Sequence, residues 1–268
     1  MAMKTCKWMT AMMLCAGFSL SACTSDDGLN SPSEAQQGTL MLKLSSGTNF
    51  TEETRAVNEE TYRNTSNYTV QVFDKDEVKQ LECVGSQLEQ NLPLTLSIGS
   101  YTVKAFYGTE HAASRDEFYV EGSAGGTVKA GDQNEPITVI CSPTCGRIKV
   151  QFEGMDEYFT DYNVTFGGTT ALGTSTISWA KADTEPWYVK LSENGENIKF
   201  TITANAKEEY NSVGEWKGTF SLQRNKAYKM KVKPGYNPPG TGSIDLEITI
   251  DESTNDIKKD IEVPITWI

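Results

Sequence analysis

The side chain best placed for covalent chemistry is the thiol of Cys23. It follows Leu20-Ser21-Ala22, and the small side chains just before it fit the narrow cleft of a signal peptidase. A cysteine directly after such a cut offers a thiol to which a lipid can be attached. The sequence therefore predicts cleavage between residues 22 and 23, which would leave Cys23 as the first residue of the mature chain.

The segment ahead of Cys23 has the features of an export signal. Lys4 and Lys7 give it a basic start, and the apolar run 8–20 is too short to span a bilayer. The whole pattern resembles the lipobox of bacterial lipoproteins. This resemblance implies that Cys23 carries lipid, palmitate included, and tethers the chain to the bacterial outer membrane. A plain signal peptide that happens to end beside a cysteine is the alternative.

The mature chain is strongly acidic. Residues 1–22 contain two lysines and no acid, so the 24 basic and 36 acidic residues of the whole chain become 22 and 36, a net charge of -14. Such a surface repels nucleic acid, which excludes nucleic acid as a partner. The mature length suits two domains of about 100 residues each.

The remaining cysteines and acids predict no cofactor and no metal site. Three cysteines stay in the mature chain beyond the lipidated one, namely Cys83, Cys141 and Cys145. They allow at most one disulfide, whose partners stay open, or buried free thiols. The chain has one histidine, and two cysteines alone are too few for structural zinc. Asp74, Asp76 and Glu77 fit a hairpin turn better than a calcium loop.

Short alternating segments separated by Gly-rich turns, without a convincing helix, predict an all-β fold of two sandwiches. Residues 146–152 repeat the Gly-x-apolar-x-apolar opening of residues 38–44 and so mark the second one. The predicted parts are a signal peptide (1–22), a flexible acidic tether (23–37), an N-terminal β-sandwich (38–141), a C-terminal β-sandwich (142–233), and a linker with a C-terminal strand pair (234–268).

Three further predictions concern individual strands of the N-terminal β-sandwich. Leu40, Leu42 and Leu44 are expected on one face of a single strand. Residues 93–106 are expected to form a hairpin that turns at Gly99-Ser100. Two separate strands are expected at 118–120 and 127–129, because the glycines between them weaken a strand.

The tail carries the same apolar spacing as the first strand. Ile244, Leu246, Ile248 and Ile250 alternate with polar residues, and a second strand is predicted over 260–267. Two strands alone are marginal in water, so the tail must add to a sheet of its own chain or of another molecule.

Several of these motifs together resemble a family of Bacteroidetes surface lipoproteins of unknown function, which is itself similar to fimbrillins, the pilus subunits of that phylum. The motifs are the lipobox, the opening Gly38-Thr-Leu, Thr54-Arg-Ala-Val57, the segment 98–105 and the second opening at Gly146. The acidic start 24–28 resembles the export signal that places such lipoproteins on the cell surface. Periplasmic retention is the alternative.

The resemblance implies two tandem transthyretin-like Greek-key β-sandwiches that assemble by strand exchange. It implies protease cleavage between Arg55 and Ala56, release of the strand with Leu40, Leu42 and Leu44, and replacement by a C-terminal strand. The donor residues would be Ile244, Leu246, Ile248 and Ile250 of another pilus subunit or another copy. An uncleaved anchoring, tip or stand-alone lipoprotein is the alternative.

No nucleophile, phosphate-loop or metal motif occurs in the sequence, so we expect a structural or adhesive protein and not an enzyme. The competing hypothesis is a surface lipoprotein that captures host or dietary polysaccharide. Its candidate glycan contacts are Trp179, Trp187, Tyr188 and Trp216. Packing of these aromatic residues in the core is the other interpretation.

Overall fold

The computed structural model describes residues 36–50, 57–131, 134–208, 210, 213–235, 246–252 and 260–262. Contacts divide the chain into Met1–Glu34 and Ala35–Ile268, and every described residue belongs to the second unit. The predicted signal peptide, Cys23 and nearly all of the tether lie outside the described residues. In the described part, no helix is both long and apolar enough to cross a membrane.

The first half of the described chain forms two sheets and contributes one short strand, β7, to a sheet of the second half. A six-stranded sheet has the order β2-β9-β8-β6-β3-β4, and a two-stranded sheet joins β1 and β5. One helical turn, α1, spans Leu88–Asn91. The strands are β1 (Gln37–Leu40), β2 (Leu42–Ser46), β3 (Thr69–Asp74), β4 (Lys79–Val84), β5 (Leu94–Ser97), β6 (Gly99–Tyr107), β7 (Ala113–Ser114), β8 (Val120–Val128) and β9 (Ile137–Pro143).

The second half is built in the same way from longer strands. Its four-stranded sheet has the order β12-β11-β14-β15, and its six-stranded sheet has the order β18-β17-β16-β10-β13-β7. The strands are β10 (Cys145–Phe152), β11 (Phe159–Gly167), β12 (Thr176–Ala180), β13 (Trp187–Lys190), β14 (Glu196–Ala206), β15 (Val213–Leu222), β16 (Ala227–Pro234), β17 (Leu246–Glu252) and β18 (Asp260–Glu262).

The all-β sandwich fold is confirmed, because alternate side chains of facing sheets meet in two clusters of buried residues. The second cluster places Ile148 and Met230 of the six-stranded sheet against Val164 and Phe200 of the four-stranded sheet. Each strand turns one face inward because its apolar residues recur at every second position. The first cluster is completed by Tyr188 and other residues of the second half, so the two halves share buried surface.

The single strand predicted over 38–44 is wrong, since the chain changes partners at Met41. Leu40 pairs antiparallel with Leu94 of β5. Leu42 pairs parallel with Ile137 of β9. A period-two pattern runs unbroken through this change because both strands bury the same face of the chain.

The hairpin predicted over 93–106 is also wrong. The strands β5 and β6 belong to different sheets, and the chain crosses between those sheets at Ile98. Gly99 and Ser100 are the first residues of β6 and pair with Val128 and Thr127. Local alternation predicts a strand but not its partner, which explains the error.

The two strands predicted at 118–120 and 127–129 are one continuous strand, β8. The glycines that suggested a break give β9 room to approach. A Cβ at Gly122 would clash with the carbonyl oxygen of Ile140, and one at Gly126 would clash with the Ile137 side chain. Here glycine permits close strand contact and does not end the strand.

All three cysteines of the described chain are buried free thiols, which answers the question left open by the sequence. Burial raises the pKa of the Cys141 thiol to about 12 and also raises that of Cys145. Thiols held in the neutral form are poor nucleophiles. The predicted hairpin turn at Asp74 is confirmed, since Asp74 Oδ1 accepts hydrogen bonds from the amides of Asp76 and Val78.

Candidate functional site

The N-terminal segment, residues 36–50, fills the core of the first half from its edge. Leu40 is 1% exposed, Leu42 is buried and Leu44 is half-buried. The strand β2 is the edge strand of its sheet and is bonded only to β9 among the described strands. An edge strand has neighbours on one side, so it can leave without breaking the pairing of the others.

The segment ends in a buried aromatic anchor, Phe50, which is 0% exposed. Its ring centroid lies 5.3 Å from that of Phe118 and 5.8 Å from that of Tyr188. The guanidinium carbon of Arg147 lies 5.7 Å from the Phe50 centroid. Since Tyr188 and Arg147 belong to the second half, Phe50 joins the N-terminal segment to both halves.

A second tie between the segment and the second half is the side-chain amide of Asn225. Its Nδ2 donates to the carbonyl oxygen of Gly47 at 2.7 Å, and its Oδ1 accepts from the amide of Asn49 at 2.8 Å. Asn225 lies in the turn between β15 and β16 with a φ of 58°, a left-handed conformation that asparagine adopts more readily than most residues. We call this pair of hydrogen bonds the Asn225 clamp.

The predicted cleavage site lies between two buried residues. Arg55 and Ala56 fall outside the described residues, while Phe50 before them and Val57 after them are both buried. The next arginine, Arg63, is held in place, because it donates to the carbonyl oxygen of Phe50 and pairs with Glu60 at 3.0 Å. It therefore has less freedom than an unrestrained loop residue to enter a protease cleft.

Glu59, two residues after Val57 in sequence, belongs to a buried polar network. Arg147 Nη1 donates to Glu59 Oε1 at 3.0 Å, and the Tyr188 hydroxyl donates to the same oxygen at 2.8 Å. All three side chains are buried, and the two halves contribute different members. Removing Glu59 or Arg147 would leave a buried charge uncompensated, so this ion pair helps to fix how the halves meet.

Most of the aromatic residues predicted as glycan contacts do not present their rings to solvent. Trp179, Tyr188 and Trp216 are at most 2% exposed and belong to the buried clusters. Trp187 is half-buried, and the guanidinium carbon of Arg115 lies 4.5 Å from its ring centroid. Core packing is therefore the role that the structure gives to Trp179, Tyr188 and Trp216, so they form no glycan platform.

The C-terminal strand β17 is placed on its own chain. It pairs antiparallel with β16, and Leu246, Ile248 and Ile250 are buried against the second core. Ile244 lies outside the described residues. Ion pairs border the strand on its open face, with Lys233 3.0 Å from Glu247 as one of them.

Other groups able to do chemistry are dispersed. His111 Nε2 lies 2.8 Å from Glu117 Oε1 in an exposed loop, and the hydrogen bond with His111 lowers the pKa of the Glu117 carboxyl. Within the described ranges, no three His, Cys, Asp or Glu side chains are close enough to hold a metal ion.

Sequence reasoning missed Phe50, Asn225 and the Glu59–Arg147 pair. Asn225 stands between two strands in a turn, and this position signals a left-handed turn residue. Its partner Gly47 is 178 residues away, and nothing in the local pattern could identify it. Contacts between residues so far apart in sequence cannot be predicted from a local pattern.

Comparisons with known proteins identify a family and several structures of similar fold. A family model described as a domain of unknown function (DUF4493) matches residues 36–265. No curated protein matches the sequence. A candidate adhesin from Bacteroides ovatus is 12% identical, with 84% of this chain and 96% of that chain covered and a TM-score of 0.47.

Two further solved structures have similar coverage. A fimbrial assembly protein from Parabacteroides distasonis is 14% identical, with 86% of this chain and 100% of that chain covered and a TM-score of 0.46. The fimbrial anchor protein Mfa2 from Porphyromonas gingivalis is 10% identical, with 85% and 100% covered and a TM-score of 0.38.

Proposed function

The chain belongs to the family described as a domain of unknown function (DUF4493), and because this membership carries no activity, we propose one from the chain's own geometry. The protein is a lipid-anchored structural or adhesive component of the bacterial surface, without catalysis, that assembles by strand exchange. Cleavage after Arg55 frees the N-terminal segment, and a C-terminal strand of another copy or another pilus subunit takes its place.

The observation that carries this proposal is the position of the N-terminal segment. It contributes the edge strand β2 to one sheet and β1 to the two-stranded sheet, and in sequence Arg55 stands between buried Phe50 and Val57. After a cut at Arg55, the segment would be held by strand pairing and side-chain contacts alone. An acceptor groove of this kind supplies main-chain hydrogen bonds and apolar pockets to an incoming strand.

Replacing the released N-terminal segment with another strand is energetically more favourable than leaving its groove empty. Burying each of Leu40, Leu42 and Phe50 stabilises the fold by about 1.5–3 kcal/mol. An empty groove would expose their apolar partners and leave both β5 and the edge of β9 unpaired. A donated strand with apolar residues at every second position would restore both kinds of contact.

The donor strand has two candidates. The residues Ile244, Leu246, Ile248 and Ile250 have the required spacing, but β17 already covers the core of its own chain. Donating β17 would therefore fill the groove of the acceptor chain but empty the groove that β17 occupies in its own chain. In sequence, Ile261, Val263, Ile265 and Trp267 repeat the same alternation at the end of the chain. Among the described residues, β18 pairs with β17 through three residues, so displacing those would break fewer contacts than displacing β17.

The anchor in this proposal is the lipid on Cys23, with the acidic segment after it as the signal for surface display. Metabolic labelling with an alkyne analogue of palmitate tests the anchor. The wild-type chain is expected to incorporate the label, and Cys23→Ser is expected to lose it. Label on the Cys23→Ser chain would reject Cys23 as the lipidated residue.

The experiment that tests the function uses recombinant residues 24–268, the mature chain without Cys23, and an arginine-specific protease. We expect selective cleavage after Arg55, followed by concentration-dependent oligomers on size-exclusion chromatography. Arg55→Lys is the matched control, because it keeps the positive charge and removes the protease site. Cleavage that leaves a monomer at every concentration would instead support an anchoring or stand-alone lipoprotein.

A further inference from the structure

The outer face of the six-stranded sheet in the first half carries a groove of about 660 Å³. Its floor comes from β3, β6, β8 and β9, while Glu193 and Arg224 of the second half line its side. This volume lies within the usual range of ligand sites. We propose that this groove binds a neutral glycan chain, a function separate from strand exchange.

The strand register places the groove's polar residues on one face of the sheet. Lys104 is directly opposite Ser123, and Phe106 is directly opposite Glu121. Glu121 is in turn opposite Ser142 of β9. Side chains on one face of neighbouring strands lie within about 4.5–5.5 Å at Cβ, so one extended ligand can contact all of them.

The groove holds four charged side chains that form no ion pair within the described part of the chain. They are Lys104, Glu121, Glu193 and Arg224. The Nε of Arg224 donates to the carbonyl oxygen of Leu191 at 2.8 Å, which orients its guanidinium. Lys104 Nζ lies 5.3 Å from the ring centroid of Phe73. Among the described residues, Lys104, Glu121 and Glu193 form no side-chain hydrogen bond, so their donors and acceptors are available to a ligand.

The balance of these charges selects the class of ligand. Two cations and two carboxylates give the groove a net charge of zero, so a polyanion meets repulsion as well as attraction. A sugar hydroxyl can both donate to a carboxylate and accept from an ammonium or guanidinium group. A neutral polyhydroxyl chain therefore satisfies all four groups at once.

The groove also has the apolar surface that a sugar ring needs. The ring centroids of Phe106 and Tyr119 lie 6.1 Å apart at an angle of 38°, and both side chains are half-buried. Ile140 beside them is 65% exposed. Partly exposed ring faces of this kind can pack against the apolar face of a sugar ring while its hydroxyl groups stay in contact with water.

A peptide strand is a poorer match for this surface. Peptides that add to a sheet bind its edge, where backbone groups are unpaired. Here β3 and β6, at the centre of the floor, pair with a neighbouring strand on each side. Their backbone groups are used within the sheet, and recognition must come from the side chains on its face.

The test is isothermal titration calorimetry on the mature chain, residues 24–268, with four neutral hexasaccharides: cellohexaose, xylohexaose, mannohexaose and maltohexaose. We expect at least one of them to bind. Glu121→Gln removes one acceptor charge and Phe106→Leu removes one ring. Each substitution is expected to weaken that binding about tenfold, whereas Glu89→Gln, an exposed change on α1, leaves it unchanged.

Thermal melts of each variant confirm that it is folded before its binding is compared. The proposal is overturned if none of the four neutral sugars binds. It is equally overturned if Glu121→Gln and Phe106→Leu bind like wild type. Tighter binding of hexagalacturonate, a polyanion of similar size, would contradict the charge argument.

Discussion

The N-terminal segment and the strand β17, which lies towards the C-terminus, both bury apolar side chains, yet they are held in different ways. The N-terminal segment, residues 36–50, contacts both halves through Phe50 and the Asn225 clamp. The strand β17 packs against the second core and not against the first, and ion pairs border its open face. One end joins the halves, and the other completes a single half.

This difference bears directly on strand exchange. Removal of the N-terminal segment would open the first core and the contact between the halves together. Removal of β17 would open one side of the second core. The N-terminal segment is therefore expected to stay in place until cleavage and a replacement strand act together, while a C-terminal strand is the easier one to lend.

The largest effect is expected at the anchor of the N-terminal segment. Phe50→Ala should lower the free energy of unfolding by about 3–5 kcal/mol, because the ring is fully buried and the cavity spans both halves. Urea denaturation measures this change. Met41→Ala, in the same segment but exposed, is the control and should have little effect. Equal effects for both variants would remove Phe50 from its anchoring role.

The corresponding change in the C-terminal strand is Ile250→Ala. We expect a loss of about 2–5 kcal/mol, confined to the second half, because Ile250 packs in that cluster alone. Hydrogen exchange followed by mass spectrometry locates the loss. Faster exchange in β14 and β16 with unchanged exchange in β3 and β6 is the expected pattern. Uniformly faster exchange would mean that both ends stabilise the whole chain alike.

The Asn225 clamp provides a smaller and more selective test. Asn225→Gly retains the left-handed backbone conformation and removes both hydrogen bonds, so we expect a loss of about 1–3 kcal/mol. After cleavage at Arg55, the freed segment should also dissociate faster. Glu77→Gly is the matched control, because Glu77 has a φ of 61° in an exposed turn. A clamp variant as stable as this control would show that the amide contributes nothing.

The smallest effect is expected from salt. Raising NaCl from about 0.1 M to about 1 M shortens the Debye length from about 10 Å to about 3 Å, which weakens exposed ion pairs. Pairs such as Lys233–Glu247 contribute about 0–1 kcal/mol each. Amides of β17 should exchange slightly faster in high salt, and amides of β2 should not. A larger increase in amide exchange in β2 than in β17 would contradict the assignment of exposed ion pairs to β17.

Much of the fold follows from local pattern. Alternation over residues such as Ile198–Ala204 predicts β14 correctly, because one buried face requires apolar residues at every second position. The turn at Asp74 is equally local, since a short polar side chain bonds the amides that follow it. These features depend on neighbours in sequence, which is why the sequence contains them.

The pairing of strands and the contact between halves are not local. No pattern indicates that the chain changes sheets at Met41, or that Gly122 makes room for β9. The anchor Phe50 stands in a polar stretch, and its neighbours Phe118 and Tyr188 are far away in sequence. For the candidate site, the sequence identified the two terminal strands and missed what holds the first one.

The most direct test of strand exchange is uptake of a C-terminal peptide by the cleaved chain. Fluorescent peptides 242–252 and 259–268 would each be mixed with the mature protein before and after cleavage at Arg55, and binding followed by anisotropy and native mass spectrometry. The account predicts that one of the two peptides binds the cleaved protein but not the uncleaved protein, and that it displaces the N-terminal fragment. A fragment that stays bound, with neither peptide taken up, would contradict strand exchange.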